Sequence, residues 1–380
     1  MTIKQVIRFT HLWLGLISGL VVVIVSLTGC VYVFQKEIQE ATQPYRYVKE
    51  DHSQKMLSPT VLRSISDKAL PGKKIHSVEY GGPTSAAKAI YYNYDPEYYY
   101  LVYMNPYTGN VLKVKNMDRD FFNIILQGHY YLWLPAQVGK PVVAISTLIF
   151  VVLLITGIVL WWPRSRVHLK QSLTLKWNTG WKRRNYDLHN VPGFYIFFLG
   201  LILALTGLVW GFQWFANSVY WTASGGKTMV QYSETFSDTT RNVQSEQNMV
   251  DAAWEKTLRE EKNAETIEMH FPETEQLAIA VSINPDASTY WKTDYRYYDQ
   301  NTLNEMDVTH MYGRYNKDMA GADKLMRMNY DIHTGSILGF AGKLLAFFVS
   351  LICASLPITG FYIWWHKRKN TRDSLLTELD

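Results

Sequence analysis

The sequence predicts a membrane protein: a four-helix transmembrane bundle built as a tandem duplication of a helix–outer domain–helix unit, with two α+β outer domains. Three observations carry this. Four long stretches contain no Asp, Glu, Lys or Arg; Lys and Arg crowd the short connections; and motifs recur at fixed offsets along the 380 residues.

Each charge-free stretch is long enough for a bilayer. A hydrocarbon core of about 30 Å takes about 20 residues of helix, and residues 12–34, 141–162, 193–215 and 344–365 each supply that. The expected division is therefore residues 1–34 for the N-terminus and first span, 35–140 for a first outer domain and 141–162 for the second span. Residues 163–192 form a basic loop, 193–215 the third span, 216–343 a second outer domain, 344–365 the fourth span and 366–380 a tail. The first span reads as an uncleaved anchor. Its apolar run exceeds the roughly 7–15 residues of a signal-peptide core, and Gln35, Lys36 and Glu37 stand where a small-residue cleavage site would be.

Orientation follows from the basic residues. Arg164, Arg166, Lys170, Lys176, Lys182, Arg183 and Arg184 lie in the loop, Lys4 and Arg8 at the N-terminus, and Lys367, Arg368, Lys369 and Arg372 in the tail. Four crossings put all three groups on one side, and the positive-inside bias makes that side the cytoplasm. His168 and His366 sit among these residues as membrane-surface positions. Topology accounts for the net charge of +5, so no nucleic-acid partner is called for; the bilayer lipid is the expected surrounding.

The outer segments read as α+β. Residues 58–70 form a helix with Ser58 as N-cap and Pro59 at the first position. Strand-like runs follow at 75–80, 89–94, 98–105 and 110–114, with a turn at 106–109. In the second segment, 250–261 is helical, 266–271, 278–284 and 295–298 are strand-like, and 299–303 is a turn. Nine tyrosines between Tyr80 and Tyr107 suit cross-strand aromatic pairing; a ligand-stacking surface is the alternative. Cys30 and Cys353 lie in spans, so no disulfide framework holds the outer domains. Gly225-Gly226-Lys227-Thr228 lacks the earlier glycine of a phosphate-binding loop, and no flavin or nicotinamide fingerprint occurs.

Self-similarity is pervasive. His11-x3-Gly15-x12-Thr28-Gly29 matches His189-x3-Gly193-x12-Thr206-Gly207, and Lys140-x15-Thr156-Gly157-x3-Trp161-Trp162 matches Lys343-x15-Thr359-Gly360-x3-Trp364-Trp365. His129 and His333 precede their lysines by similar distances. A repeat with two crossings gives parallel copies about an axis along the membrane normal. That symmetry pairs His11 with His189 near the cytoplasmic face and His129 with His333 near the outer face.

A single histidine at a helix start is ordinarily interfacial. Four in symmetric pairs offer two imidazoles at each of two depths, which suits bis-imidazole haem. Zinc would ask for three or four protein ligands at one place. Without Cys-x-x-Cys-His, attachment is non-covalent, so two haem b are expected with His11, His189, His129 and His333 as axial iron ligands. Gly15 and Gly193, one turn from His11 and His189, leave room either for a flat macrocycle or for close helix packing. Asp187 and Asp331 read as helix N-caps or as partners of the histidines two residues on. Arg8 and Arg184 are placed for haem propionates, though topology alone explains them. His52, His76, His270 and His310 fall in the outer domains without ligand spacing. No catalytic residue beyond the iron ligands is apparent.

His11-Leu-Trp-Leu-Gly15, Gly128-His129, Asp187-Leu-His189-Asn-Val-Pro-Gly193 and Asp331-Ile-His333-Thr-Gly335, with the Thr-Gly pairs, resemble the PepSY-associated transmembrane helix family, the iron-regulated membrane proteins of Gram-negative bacteria. The resemblance covers essentially the whole chain; the outer, PepSY-like domains match loosely. It implies an inner-membrane, haem-dependent ferrisiderophore reductase. Such a protein passes electrons from a cytoplasmic or membrane donor to a ferric siderophore or other ferric chelate in the periplasm, and releases Fe(II). By motif position His11 and His189 hold one haem and His129 and His333 the other. A dihaem electron-transfer protein serving another periplasmic acceptor, and a non-redox PepSY binding or regulatory module, are the alternatives.

The orientation is testable with reporter fusions: a reporter after Trp177 is expected to behave as cytoplasmic, and reporters after Lys88 or Thr293 as external. Opposite activity at any of these sites overturns the four-crossing arrangement.

Overall fold

Lipid offers a backbone N–H no partner but the chain's own carbonyls, so long apolar runs in this chain are helical. The computed structural model describes residues 1–163, 165–238 and 246–377; Arg164 and the side chains of Arg166, His168 and Arg372 lie outside that description. The chain runs α1 (Ile3–Tyr32), α2 (Gln35–Thr42) and α3 (Pro59–Ala69), then β1 (Ser77–Tyr80), β2 (Ala87–Tyr94), β3 (Glu97–Met104) and β4 (Val111–Asn116). Next come α4 (Phe121–Tyr131), α5 (Ala136–Trp161), α6 (Arg166–Ser172), α7 (Trp181–Tyr195), α8 (Phe197–Gly211), α9 (Gln213–Ala223) and α10 (Glu246–Glu260). Strands β5 (Thr266–His270), β6 (Ile279–Asn284), β7 (Asp294–Tyr298) and β8 (Glu305–Met306) follow, and α11 (Gly321–Thr334) and α12 (Gly339–Thr377) end the chain. It divides into two units: Met1–Gln35, Ile124–Ala216 and Ile332–Asp380 form the apolar one, and Lys36–Asn123 with Asn217–Asp331 the polar one.

In the apolar unit α1 packs against α5 and α12, α5 against α8, and α12 against α7 and α8. Among the described residues, α1, α5 and the helix through 336–369 are each long and apolar enough to cross a membrane. The third stretch differs from the single span expected over 193–215. Helices α7 and α8 pass the same test only together, and they are bent by 68°. The break falls at Ile196 (φ −88°, ψ −3°), between the end of α7 and the start of α8; Pro192, inside α7 one turn earlier, leaves the Leu188 carbonyl without its helical N–H partner. At 15 residues, α8 alone is about 22 Å long.

Two chain reversals set His129, near the end of α4, against α1 and His333, near the end of α11, against α8. Between α4 and α5, Leu132 and Trp133 both take φ of 57°, a conformation costly for residues with a Cβ. Between α11 and α12, Gly335 (φ 78°) and Gly339 (φ 63°) do the same work at no such cost. At both reversals a glycine of the following helix meets backbone. A Cβ on Gly139 would stand 2.1 Å from the Tyr131 carbonyl oxygen, and one on Gly342 would stand 2.0 Å from that of Gly335.

The polar unit also differs from expectation. The two outer segments, expected as separate domains, share one eight-stranded antiparallel sheet in the order β4-β3-β2-β1-β5-β6-β7-β8. The seam is β1–β5, where Val78 faces Met269 and Glu79 faces Glu268. One core lies beneath both halves, with Leu62 of α3, Val250 and Trp254 of α10, and Val78, Tyr80, Ala89, Val102, Met269, Ile279 and Val281 of the strands. Joining the halves closes two strand edges that would otherwise stand open and pools apolar burial that a short segment lacks alone. The tyrosines pair across strands as expected, with Tyr91 opposite Tyr100 and Tyr92 opposite Tyr99. Ser58 is the N-cap residue of α3, yet its hydroxyl makes no capping bond. It donates to Asp251 of α10 at 2.8 Å, and the same carboxylate accepts the Thr60 N–H at 3.1 Å. One half thus caps a helix of the other.

Gly139→Ala forces backbone against backbone at the α4–α5 reversal and is expected to cost about 1–3 kcal/mol, read as a lowered unfolding midpoint in detergent. Gly82→Ala, with nothing within 4 Å of an added Cβ, is the control expected to melt as wild type. Equal midpoints for the two variants would refute the close approach.

Candidate functional site

Four histidines meet in two pairs inside the apolar unit. The His11 and His189 rings stand 6.5 Å apart, centroid to centroid, at 88°. The His129 and His333 rings stand 6.0 Å apart at 68°. All four are half-buried. His11 is on α1, and the partner that holds His129, Thr28, is on the same helix 17 residues later, so the pairs are about 26 Å apart along α1.

Each histidine is held by a Thr-Gly pair of a neighbouring helix. His11 Nδ1 lies 2.9 Å from Thr156 Oγ1. His189 Nδ1 lies 3.0 Å from Thr359 Oγ1 and 3.1 Å from the Leu356 carbonyl. His129 Nδ1 lies 2.9 Å from the Val25 carbonyl and 3.3 Å from Thr28 Oγ1. His333 Nδ1 lies 2.9 Å from Thr206 Oγ1. The adjoining glycines sit under the rings: a Cβ on Gly157, Gly360, Gly29 or Gly207 would come within 3.5, 3.2, 3.3 or 3.5 Å of the respective Cε1 atoms.

The proton positions follow from this network. A carbonyl oxygen only accepts, so His129 and His189 donate from Nδ1. Each threonine hydroxyl gives its own proton to the carbonyl four residues earlier: Thr28 to Ile24, Thr156 to Val152, Thr206 to Ile202 and Thr359 to Ser355. Its oxygen is then left to accept, so His11 and His333 also donate from Nδ1. In neutral imidazole the other nitrogen, Nε2, keeps its lone pair. Imidazoles turned this way, with no partner on Nε2 among the described residues, present the nitrogen that can ligate a metal.

The structure therefore brings together all four histidines expected as ligands, in the expected pairs. Other expectations fare differently. Asp187 lies inside α7, whose N-cap residue is Gly180, and it pairs with Arg183 at 3.1 Å. Asp331 accepts the backbone N–H groups of Tyr290 and Trp291. Neither aspartate is an N-cap. Gly15 and Gly193 face leucines: an added Cβ would meet Leu153 at 3.9 Å and Leu356 at 3.4 Å, so close helix packing accounts for them. The Thr-Gly pairs, visible in the sequence as repeat markers, carry the role that spacing alone did not assign.

Comparison with family models matches residues 8–367 to the PepSY-associated TM region. No curated protein matches the chain.

In protein labelled with ¹⁵N at histidine, the ring spectra of His11, His129, His189 and His333 are expected to show the Nδ1–H tautomer when no metal is bound. Thr206→Val should disturb the His333 signal alone. An Nε2–H tautomer at these positions contradicts the assignment.

Proposed function

The chain belongs to the PepSY-associated TM region family, and from that membership and the four histidines we propose that it is a dihaem b-type reductase for ferric chelates. The observation that carries the reading is the common treatment of the four rings: Nδ1 bound, Nε2 without a partner among the described residues, two rings at each of two places.

The residues fit haem. Two imidazoles bonded to one iron at about 2 Å each would have ring centroids about 6 Å apart, and the pairs stand at 6.5 and 6.0 Å. Arg184, five residues before His189, Trp161, five after Thr156, and His366, seven after Thr359, have Nε, Nε1 and Nδ1 respectively buried without a hydrogen-bond partner among the described residues. Such donors suit the carboxylates of a propionate-bearing macrocycle. When bound, haem supplies reversible one-electron transfer. The chain's own part would be to supply two imidazoles to each haem iron, His11 with His189 and His129 with His333, which suits electron transfer over oxygen chemistry. Its threonines and the Val25 and Leu356 carbonyls keep each imidazole in the ligating tautomer.

The proposal includes topology. The bent α7–α8 pair counts as one crossing, making a four-helix bundle of two copies in tandem with both termini cytoplasmic in a bacterial inner membrane. Position by position the holders correspond: α1 and α7 carry His11 and His189 against α5 and α12, and α4 and α11 carry His129 and His333 against α1 and α8. The electron donor is cytoplasmic or within the membrane. The acceptor is a periplasmic ferric siderophore or similar chelate. Gain of one electron converts Fe(III) to Fe(II), which hard oxygen ligands hold less tightly, so the iron is released.

Pyridine haemochrome analysis is expected to find about two non-covalent haems per chain. His11→Ala and His189→Ala should lose the same one, and His129→Ala and His333→Ala the other. Ferric siderophore added to dithionite-reduced protein freed of excess reductant should reoxidise it. A colourless protein sinks the haem reading, while a red one that stays reduced with several ferric chelates serves another acceptor.

A further inference from the structure

The seam of the eight-stranded sheet brings together side chains that the function proposed above does not use. His76, just ahead of β1, is fixed on both sides: its N–H bonds the Ile90 carbonyl and its carbonyl accepts the Phe271 N–H. Its Nε2 faces His270 Nδ1 of β5 at 3.1 Å. Glu268, two residues before His270, lies on the same face of β5, with a carboxylate oxygen 3.9 Å from His270 Nε2. One ligand atom from each of His76, Glu268 and His270 falls within 4.8 Å of the others. We propose that these three residues bind a divalent first-row transition-metal cation.

The donor set selects the class. Two imidazoles and one carboxylate suit Fe(II), Zn(II) and their neighbours, and this 2-His-1-carboxylate set leaves positions open. Calcium and magnesium ask for oxygen ligands. Ligand atoms on one tetrahedral ion, with bonds of about 2.0–2.1 Å, lie roughly 3.3 Å apart, close to the 3.1 Å between the two imidazole nitrogens. The rings are oriented for it. His270 Nε2 is 3.1 Å from Ser282 Oγ; donating there leaves Nδ1 with its lone pair toward His76. The Ser77 hydroxyl donates to Glu268 at 2.5 Å, aiming the carboxylate. Such outer partners fix ligand geometry.

Charge points the same way. Glu79 stands directly opposite Glu268 across the seam, a like-charge pairing that costs stability. Lys88 bonds Glu79 at 2.9 Å and answers one of the two carboxylates. Burial alone would raise the Glu268 carboxyl; His270, Ser77 and Lys88 outweigh it and hold the group below its usual range. Burial and the neighbouring His270 lower His76 to about 4, so its ring is neutral at pH 7. A cation held by the three side chains would offset the negative charge of the facing Glu79 and Glu268 carboxylates, of which Lys88 bonds only Glu79. His76, Glu268 and His270 are half-buried, and Tyr92 beside His76 is 40% exposed, which leaves an entry from solvent.

The site rests on the sheet alone and not on the haem reading, although Fe(II), the product of that reaction, is among the cations it would take. The test is calorimetric titration of Zn(II) into the purified full-length protein after EDTA treatment and removal of the chelator. Wild type is expected to bind one equivalent more than the His76→Gln/His270→Gln double variant, and Glu268→Gln should weaken that equivalent roughly tenfold or more. X-ray absorption at the zinc edge of the wild type should show imidazole nitrogen and oxygen. Equal binding by a double variant with wild-type melting overturns the proposal. If the double variant does not fold, the wild-type spectrum decides, and zinc without imidazole ligands overturns it. Binding heat is read with or without haem, so a colourless protein leaves this test intact.

Discussion

A threonine hydroxyl inside a helix has one proton, and the carbonyl one turn back claims it. Its oxygen can then only accept from outside the helix. The apolar unit is organised around four such oxygens, each meeting the Nδ1 edge of a histidine from another helix. The tautomer and the ring plane are set by these bonds and by the Val25 and Leu356 carbonyls. The glycine after each threonine is the geometric complement. Without a Cβ, the helix lets the ring edge approach to van der Waals distance.

This arrangement explains why the two reversals are built as they are. His129 and His333 reach α1 and α8 only because α4 and α11 turn back before α5 and α12 begin. The first reversal accepts two residues with left-handed backbone, Leu132 and Trp133, while the second uses glycines. In both, a glycine one turn into the next helix permits backbone to lie on backbone. The bend at Ile196 belongs to the same logic: it separates a polar α7, which presents His189, from an apolar α8, which presents Thr206.

What the sequence reveals is local and periodic; what it hides is pairing at long range. Apolar runs, helix and strand positions, cross-strand tyrosines and the histidine pairs are all visible as spacing or symmetry. The Thr-Gly pairs are equally visible, but their partners lie more than a hundred residues away, and spacing carries no information about which helix faces which. The β1–β5 seam is hidden for the same reason, and with it the meeting of His76 and His270. The bend at Ile196 is the instructive case: it falls inside an unbroken apolar run, and hydropathy counts residues without registering where the backbone turns.

The shared sheet also has a history in time. β1 pairs with a strand about 190 residues further along the chain, a length that takes roughly 10–40 s to synthesise. For that interval β1 to β4 exist without β5, with half a core and an open edge at the position the seam later fills. The first half of the polar unit is thus an intermediate by construction. Its survival until the second half arrives depends on how well a four-residue strand, bordered by His76 and carrying Glu79, discourages other partners.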